Sequence, residues 1–259
     1  MHDFSLTFLG SGTSQGVPII GCDCPICQST DPRDKRTRSS IYIETPEFHF
    51  IVDTGPDLRQ QALREQLKRI DAVVLTHPHA DHIMGFDDMR AFCHGGKEMP
   101  VYGSPDTMTA LRRVFAFAFD GQNRFPGYVN PVAHEVTTPF NLGSTQLIPM
   151  QVPHGRVQTQ AYLFLRHGRK IAAYFPDCKD IPPAAREAIA GVEVLIVDAL
   201  RRKEHPTHMN VDEALAVAST IHAKQTWFTH LSHDLAHAEL EAELPPGIRV
   251  AYDGLRLEL

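Results

Sequence analysis

The stretch LTHPHADHIMG, residues 75–85, places His77, His79, Asp81 and His82 directly behind the apolar run DAVVLT. Imidazole nitrogens and carboxylate oxygens together suit zinc, manganese or iron, and a metal that does chemistry keeps one coordination position open for water. In an extended turn His77 and His79 can aim to one side while Asp81 and His82 begin the next helix. The four can therefore converge on two adjacent cations. Ligand-type residues bunched this tightly predict a metal site rather than a helix cap among unconnected histidines. His154 in QVPHG, Asp177 in AAYFPDC and His230 in WFTHLSH also end apolar runs. Taken singly, each is the kind of residue that commonly sits in a loop after a strand; taken with the cluster, they extend it.

Sulfur ligands form a second group. Of five cysteines, three crowd into GCDCPIC as Cys22, Cys24 and Cys27. In a reducing compartment such spacing reads as metal binding rather than as disulfides. Three thiolates leave a tetrahedral zinc one donor short, and His233, three residues after His230 in THLSH, is the favoured fourth. Cys93 and Cys178 carry no motif and are expected to be buried thiols.

The elements that must position these residues follow from periodicity. FSLTFLG alternates as a strand and runs into GSGTSQGVP, whose glycines suit a tight turn; no helix clearly follows, as a dinucleotide site would require. SIYIET and FHFIVDTG predict a hairpin, DLRQQALREQLKRI a helix and DAVVLTH a buried strand. Beyond the histidine cluster IMGFDDMRAFC reads as helical, MPVYGS as a strand and PDTMTALRRVFAFAF as one helix with a proline near its start. Residues 120–136 read as irregular and aromatic, and the wider segment 113–140 as an insertion over a pocket. Strands TQLIPMQVPHG, AYLFLRHG, KIAAYFPDC and VEVLIVDAL follow, with helices near 182–190, in VDEALAVASTIH and near 235–243, and closing strands IRVAY and LRLEL. No linker or low-complexity tract divides the chain. Residues 1–259 are therefore read as a single α/β domain, two packed sheets with helices outside.

Composition narrows the partners. The net charge of -6 and the absence of a Lys/Arg block disfavour long nucleic acids. No apolar stretch reaches the roughly 20 residues that span a bilayer, and MHDFSLTFLG lacks the parts of a signal peptide. The expectation is a cytoplasmic protein without a membrane partner, with monomer and homodimer both open.

In the order His-x-His-x-Asp-His, His, Asp, His, the chain resembles the metallo-β-lactamase-fold hydrolases over nearly its whole length. That resemblance implies an αββα sandwich in which His77, His79 and His154 hold one divalent metal, Asp81, His82 and His230 hold a second, and Asp177 bridges them and takes part in catalysis. It also implies that Asp53 of IVDTG orients the metal loop without ligating. A carboxylate at Asp177 resembles the phosphodiesterase and glyoxalase II-like branches, whereas zinc β-lactamases carry cysteine there. The narrower resemblance, through GSGTSQGVP, GCDCPIC, LTHPHADH and THLSH, is to the phosphoribosyl cyclic phosphodiesterase (PhnP) family of the carbon-phosphorus lyase pathway. It implies a structural zinc on Cys22, Cys24, Cys27 and His233, and a histidine in RRKEHPTHMNVDEALA that protonates the leaving oxygen. His208 falls at that position, although His205 is three residues away. The implied function is a dinuclear zinc- or manganese-dependent phosphodiesterase, with iron also accepted by the ligands, acting on a small cyclic or diester phosphate. Two alternatives share the fold. One is an oxidative or accessory metalloprotein resembling the pyrroloquinoline quinone biosynthesis protein. The other is an RNA-processing nuclease, disfavoured because no glycine-rich basic arm is found.

Overall fold

Strands β1 (Ser5–Gly10), β2 (Ser40–Glu44), β3 (His49–Val52) and β4 (Ala72–Val74) are buried at nearly every residue. Such continuous burial requires a sheet covered on both faces. The computed structural model, which describes residues 3–121 and 127–259, supplies both covers. With β5 (Met99–Gly103), β6 (Pro131–Glu135) and β14 (Arg256–Glu258), these strands form a seven-stranded sheet ordered β14-β1-β2-β3-β4-β5-β6. The second sheet, also seven-stranded, runs β13-β12-β11-β10-β9-β8-β7. Its members are β7 (Phe140–Leu142), β8 (Thr145–His154), β9 (Val157–Arg166), β10 (Arg169–Phe175), β11 (Val194–Asp198), β12 (Gln225–Thr229) and β13 (Ile248–Val250).

Three apolar clusters define four layers. Between the sheets, Phe8, Phe50 and Val52 pack with Phe164, Tyr174 and Ile196. Outside the first sheet, α1 (Leu58–Arg64) and α3 (Pro105–Val114) bury Leu58, Met108 and Leu111 against Val73 and Val101. Outside the second, α5 (Pro183–Ile189), α6 (Val211–Ile221) and α7 (His237–Glu243) bury Ile189, Val217 and Leu240 against Leu195 and Val197. This is the αββα sandwich. Truncating a ring such as Phe50 in the middle layer to alanine would cost about 3–5 kcal/mol.

Pairing sets where side chains can meet. β3, β4 and β5 are parallel, as are β10, β11, β12 and β13. In such sheets the loops at the carboxyl ends of the strands are the natural place for a site.

Local structure departs from the pattern reading at several points. The helix expected to reach Ile70 stops at Arg64, followed by Gln66 in the left-handed region at φ 53°. The single helix expected through PDTMTALRRVFAFAF breaks at Phe115, whose ring packs on Phe86 at 5.3 Å, and α4 (Ala116–Phe119) follows. Residues 86–92 form a 3-10 rather than an α-helix. The stretch read as irregular contains β6, an edge strand opened by Pro131 and only partly buried, so it lacks an apolar signature. Residues 122–126 of the proposed 113–140 insertion lie outside the described residues. No helix among the described residues is long and apolar enough to cross a membrane.

Candidate metal centre

Every candidate ligand of the histidine–carboxylate group sits at a strand's carboxyl end. The turn after β4 carries His77 and His79 and runs into α2 (Ala80–Ile83), which carries Asp81 and His82. His154 closes β8, Asp177 follows β10 and His230 follows β12. Close backbone packing seats α2. A Cβ on Gly55 would stand 2.2 Å from the Asp81 carbonyl oxygen, and one on Gly85 2.0 Å from that of Gly55. The Thr54 N–H donates to the His82 carbonyl at 2.7 Å.

Two groups of donors converge. His77 Nε2 and His154 Nε2 lie 2.9 and 3.3 Å from His79 Nδ1. Asp81, His82, Asp177 and His230 form the other group, all buried. Asp177 stands between them. Its Oδ2 is 3.2 Å from His230 Nε2 and 3.9 Å from both His77 Nε2 and His154 Nε2, while Oδ1 is 3.3 Å from His82 Nε2.

The opposite ring nitrogens fix which lone pairs face inward. His82 donates from Nδ1 to Asp53 at 2.7 Å, and His154 donates from Nδ1 to the Thr207 carbonyl at 2.9 Å. Each therefore turns Nε2 toward the cluster, the usual arrangement around a metal-ligating histidine. Asp53 also accepts from the Thr76 N–H and hydroxyl, both at 2.8 Å, so it holds the histidine turn as well as His82. Both Asp53 and His230 have positive φ, 68° and 59°, a strained conformation for residues other than glycine and one that concentrates at functional sites.

The chemistry of the donor set itself fits cations. His82 Nε2, Asp177 Oδ1 and His230 Nε2 are buried without a hydrogen-bond partner, and each is a costly orphan unless a cation takes it. Protonation gives the same reading. Burial opposes charge on His82, but Asp177, Asp53 and Asp81 outweigh it and hold His82 well above the usual histidine range. Asp177, despite complete burial, is held well below the carboxylate range by His230 and His82. Burial draws His77 far down and His154 down to about 4.

Between His208 and His205 the structure discriminates. His208 is buried, stacks on His230 at 4.7 Å, lies edge-on to His154 at 4.6 Å, and donates from Nδ1 to Asp198 Oδ2 at 2.6 Å. Its Nε2 is left as the working nitrogen. His205 lies further out, its ring 5.1 Å from that of His208. Burial lowers the pKa of His208, with Asp177 and Asp81 acting in the opposite direction.

The sulfur group is equally well assembled. Cys22, Cys24 and Cys27 Sγ lie 3.4, 3.5 and 3.6 Å from His233 Nδ1. Zinc–sulfur and zinc–nitrogen bonds of about 2.3 and 2.0 Å in a tetrahedron separate those atoms by about 3.5 Å. The hydrogen bond from the Cys27 N–H draws the Cys24 thiol down to about 6, whereas burial pushes Cys27 up to about 11. Arg36 ties this group to the other. Fully buried, it donates to the carbonyls of Ser232 at 2.9 Å and Leu235 at 2.7 Å and pairs with Asp34 at 3.2 Å. It thereby braces the loop that carries both His230 and His233. Removing one partner of such a buried pair costs about 3–5 kcal/mol.

Residues 49–231, which contain the whole histidine–carboxylate cluster, match the family model of the beta-lactamase superfamily domain. A solved structure described as a new diphosphatase from the PhnP family superposes with a TM-score of 0.91 at 43% identity, covering 99% of this chain and 97% of that one. The chain belongs to the PhnP family of the beta-lactamase superfamily. It is thus a metal-binding hydrolase of the metallo-β-lactamase fold. This PhnP-family protein is also 38% identical to the octanoyltransferase of Porphyromonas gingivalis over 257 residues, 95% of this chain but 50% of that protein. It spans about half the length of that relative. Coenzyme PQQ synthesis protein B of Methylorubrum populi is 29% identical over 224 residues, covering 74% of this chain and 72% of that protein.

The pattern reading missed Asp198, Thr76 and the Asp34–Arg36 pair. For Asp198 a signal existed: VLIVD ends a buried apolar run in a carboxylate, as do FHFIVD and the AAYFPD that yielded Asp177. The glycine-rich GSGTSQG stretch serves backbone packing, with Gly12 bridged to both Arg38 and Leu231. Cys93 and Cys178 are buried as expected.

Proposed function

We propose that this PhnP-family protein is a dinuclear metal-dependent phosphodiesterase acting on a small cyclic or diester phosphate, of which a phosphoribosyl cyclic phosphate is the type suggested by its motifs. The observation that carries the reading is Asp177, whose two oxygens reach nitrogens of both donor groups. His77, His79 and His154 would hold one metal, Asp81, His82 and His230 the other, with Asp177 shared; zinc, manganese and iron all suit this set. Two metals so placed make water nucleophilic at neutral pH and offset charge on phosphoryl oxygens. Cys22, Cys24, Cys27 and His233 would hold a further, structural zinc.

The chain's own residues supply the remainder. Asp53 fixes His82 and the turn bearing His77 and His79. Asp198 holds the His208 Nδ1–H, so a proton on Nε2 of His208 is presented toward the metal cleft for a leaving alkoxide. Burial of the cluster keeps bulk water away and strengthens each of these interactions. The 43% identical PhnP-family diphosphatase supports phosphoryl chemistry as the substrate class.

The test is turnover by metal-analysed protein of bis-p-nitrophenyl phosphate, ribose cyclic phosphates and diphosphate diesters beside a thioester and a lactam. Diester or diphosphate cleavage with about three metals per chain is expected from the ligand sets above. Similarity to coenzyme PQQ synthesis protein B keeps one competing reading, an oxidative metalloprotein. Bound iron with dioxygen consumption and no hydrolysis would favour it.

A further inference from the structure

The apolar stripe of DLRQQALREQLKRI does not end up as the single helix face that its spacing predicts. Because α1 stops at Arg64 and Gln66 turns the chain at φ 53°, Leu67 and Ile70 leave the helix. With Ala62 and Leu63 of α1 and Phe92 of the 3-10 segment, they line a cavity of about 470 Å³. That volume lies within the range of small-molecule sites. Leu63 is 62% exposed, while Leu67 and Phe92 are half-buried against the outer core. A concave, largely apolar surface is thus left open to solvent on the outer side of the first sheet.

This cavity is separate from the metal centre. None of the candidate metal donors lines it. Ile70 and Lys97 stand two residues before β4 and β5, at the amino ends of these parallel strands, whereas the donors gather at carboxyl ends. Its charge is also distinctive. Of the Asp, Glu, Lys and Arg side chains lining it, four are basic, Arg59, Lys68, Arg69 and Lys97, and one is acidic, Asp88. Arg69 and Lys97 both pair with Asp71, at 2.6 and 3.0 Å. Arg59 and Lys68 make no ion pair or hydrogen bond among the described residues. Even with Asp71 and Asp88 both counted, cations outnumber carboxylates four to two, on a protein whose net charge is -6.

We propose that this cavity binds an amphipathic anion, a medium-length apolar chain that carries one negatively charged headgroup. The chain lies against Leu63, Leu67 and Phe92, where burying its methylenes drives association. The headgroup is taken by Arg59 and Lys68, the two cations of the lining that no carboxylate already holds. Their long apolar stems can cover the chain while their charged ends stay in water. Asp88 on the same lining opposes a second negative charge, which is why one anionic group fits better than two. A hydrophilic anion would forgo the apolar wall, and an uncharged chain would forgo the cations. Because the metal donors lie at the other ends of the strands, such a ligand can bind while the metal centre is occupied.

Calorimetric titration of metal-loaded protein with hexanesulfonate, octanesulfonate and octanol tests the site, sulfonates being chosen because they are poor metal ligands. Affinity is expected to rise about fourfold for each added methylene and to be higher for octanesulfonate than for octanol. Replacing both cations, Arg59→Gln with Lys68→Gln, is expected to weaken octanesulfonate about fivefold to tenfold, the size of two exposed charge contacts, and to leave octanol unchanged. Leu63→Asp, which puts a carboxylate on the apolar wall, should weaken octanesulfonate more than octanol. All three positions are exposed, so the melting temperature should stay within a few degrees of the parent. Absence of binding, equal affinity for octanol and octanesulfonate, or no dependence on chain length would overturn the proposal. So would octanesulfonate binding that none of these substitutions moves, because the probe would then sit elsewhere, the metal centre included.

Discussion

At the sulfur cluster, three of four donors come from the short run Cys22–Cys27, and only Cys27 is buried. At the histidine–carboxylate cluster, seven donors come from four segments on two sheets, and all but His79 are buried. The first group is a closed tetrahedral set, with no position left for a substrate. The second leaves buried donor atoms unpaired and has His208 at its edge. A metal in the first can organise the chain, whereas metals in the second can also react. The loop from His230 to His233, braced by Arg36, joins them, so damage at one site reaches the other through backbone rather than through shared ligands.

That contrast can be broken most sharply at Asp177. Asp177→Ala is expected to lower turnover by at least about 10³-fold, because it removes the carboxylate shared by both groups and strands the charge around it. Steady-state kinetics with a phosphodiester, alongside metal analysis, checks this. Second in size, His208→Ala should slow diesters with poor leaving groups by about 10²–10⁴-fold, with a much smaller effect on p-nitrophenyl esters. Equal slowing of both would remove the proton-donor assignment. Cys24→Ser, by contrast, should release about one zinc per chain and lower the melting temperature while reducing turnover less than either change above. Retention of the full zinc complement would show that the sulfur group is not the structural site.

The smallest effect concerns protons. With its pKa held well above the usual range, metal-free His82 is protonated at neutral pH, and that proton occupies the nitrogen a metal would take. Metal uptake must expel it, so affinity should rise with pH and fall on acidification. Calorimetry in buffers of different ionisation enthalpy should register this release; proton-neutral uptake would show that His82 is not a ligand. At the sulfur group Cys27, raised to about 11, must likewise lose a proton to a metal, whereas Cys24 at about 6 is already largely a thiolate.

Legibility in the sequence followed distance along the chain. His77, His79, Asp81 and His82 declare themselves because a turn and a short helix bring them together within one segment. The strands around them were equally readable, since burial on both faces leaves continuous apolar runs such as those of β4 and β11. β6 was not, because an edge strand of mixed burial has no such run. Spacing could not separate His205 from His208, because both lie in one loop of ordinary composition. What separates them is the 2.6 Å contact from His208 to Asp198 at the end of β11, formed only once the loop folds back over that strand.

By itself the sequence determined the kinds of donor, the order in which they occur and the αββα layering, because ligand chemistry and hydrophobic periodicity are local properties of a chain. Only the tertiary structure decided that His154, Asp177 and His230 reach the same space as His77, and that Asp53 and Asp198 orient His82 and His208. Those relations depend on which strand ends lie side by side, and strand pairing is set by packing across the whole sandwich.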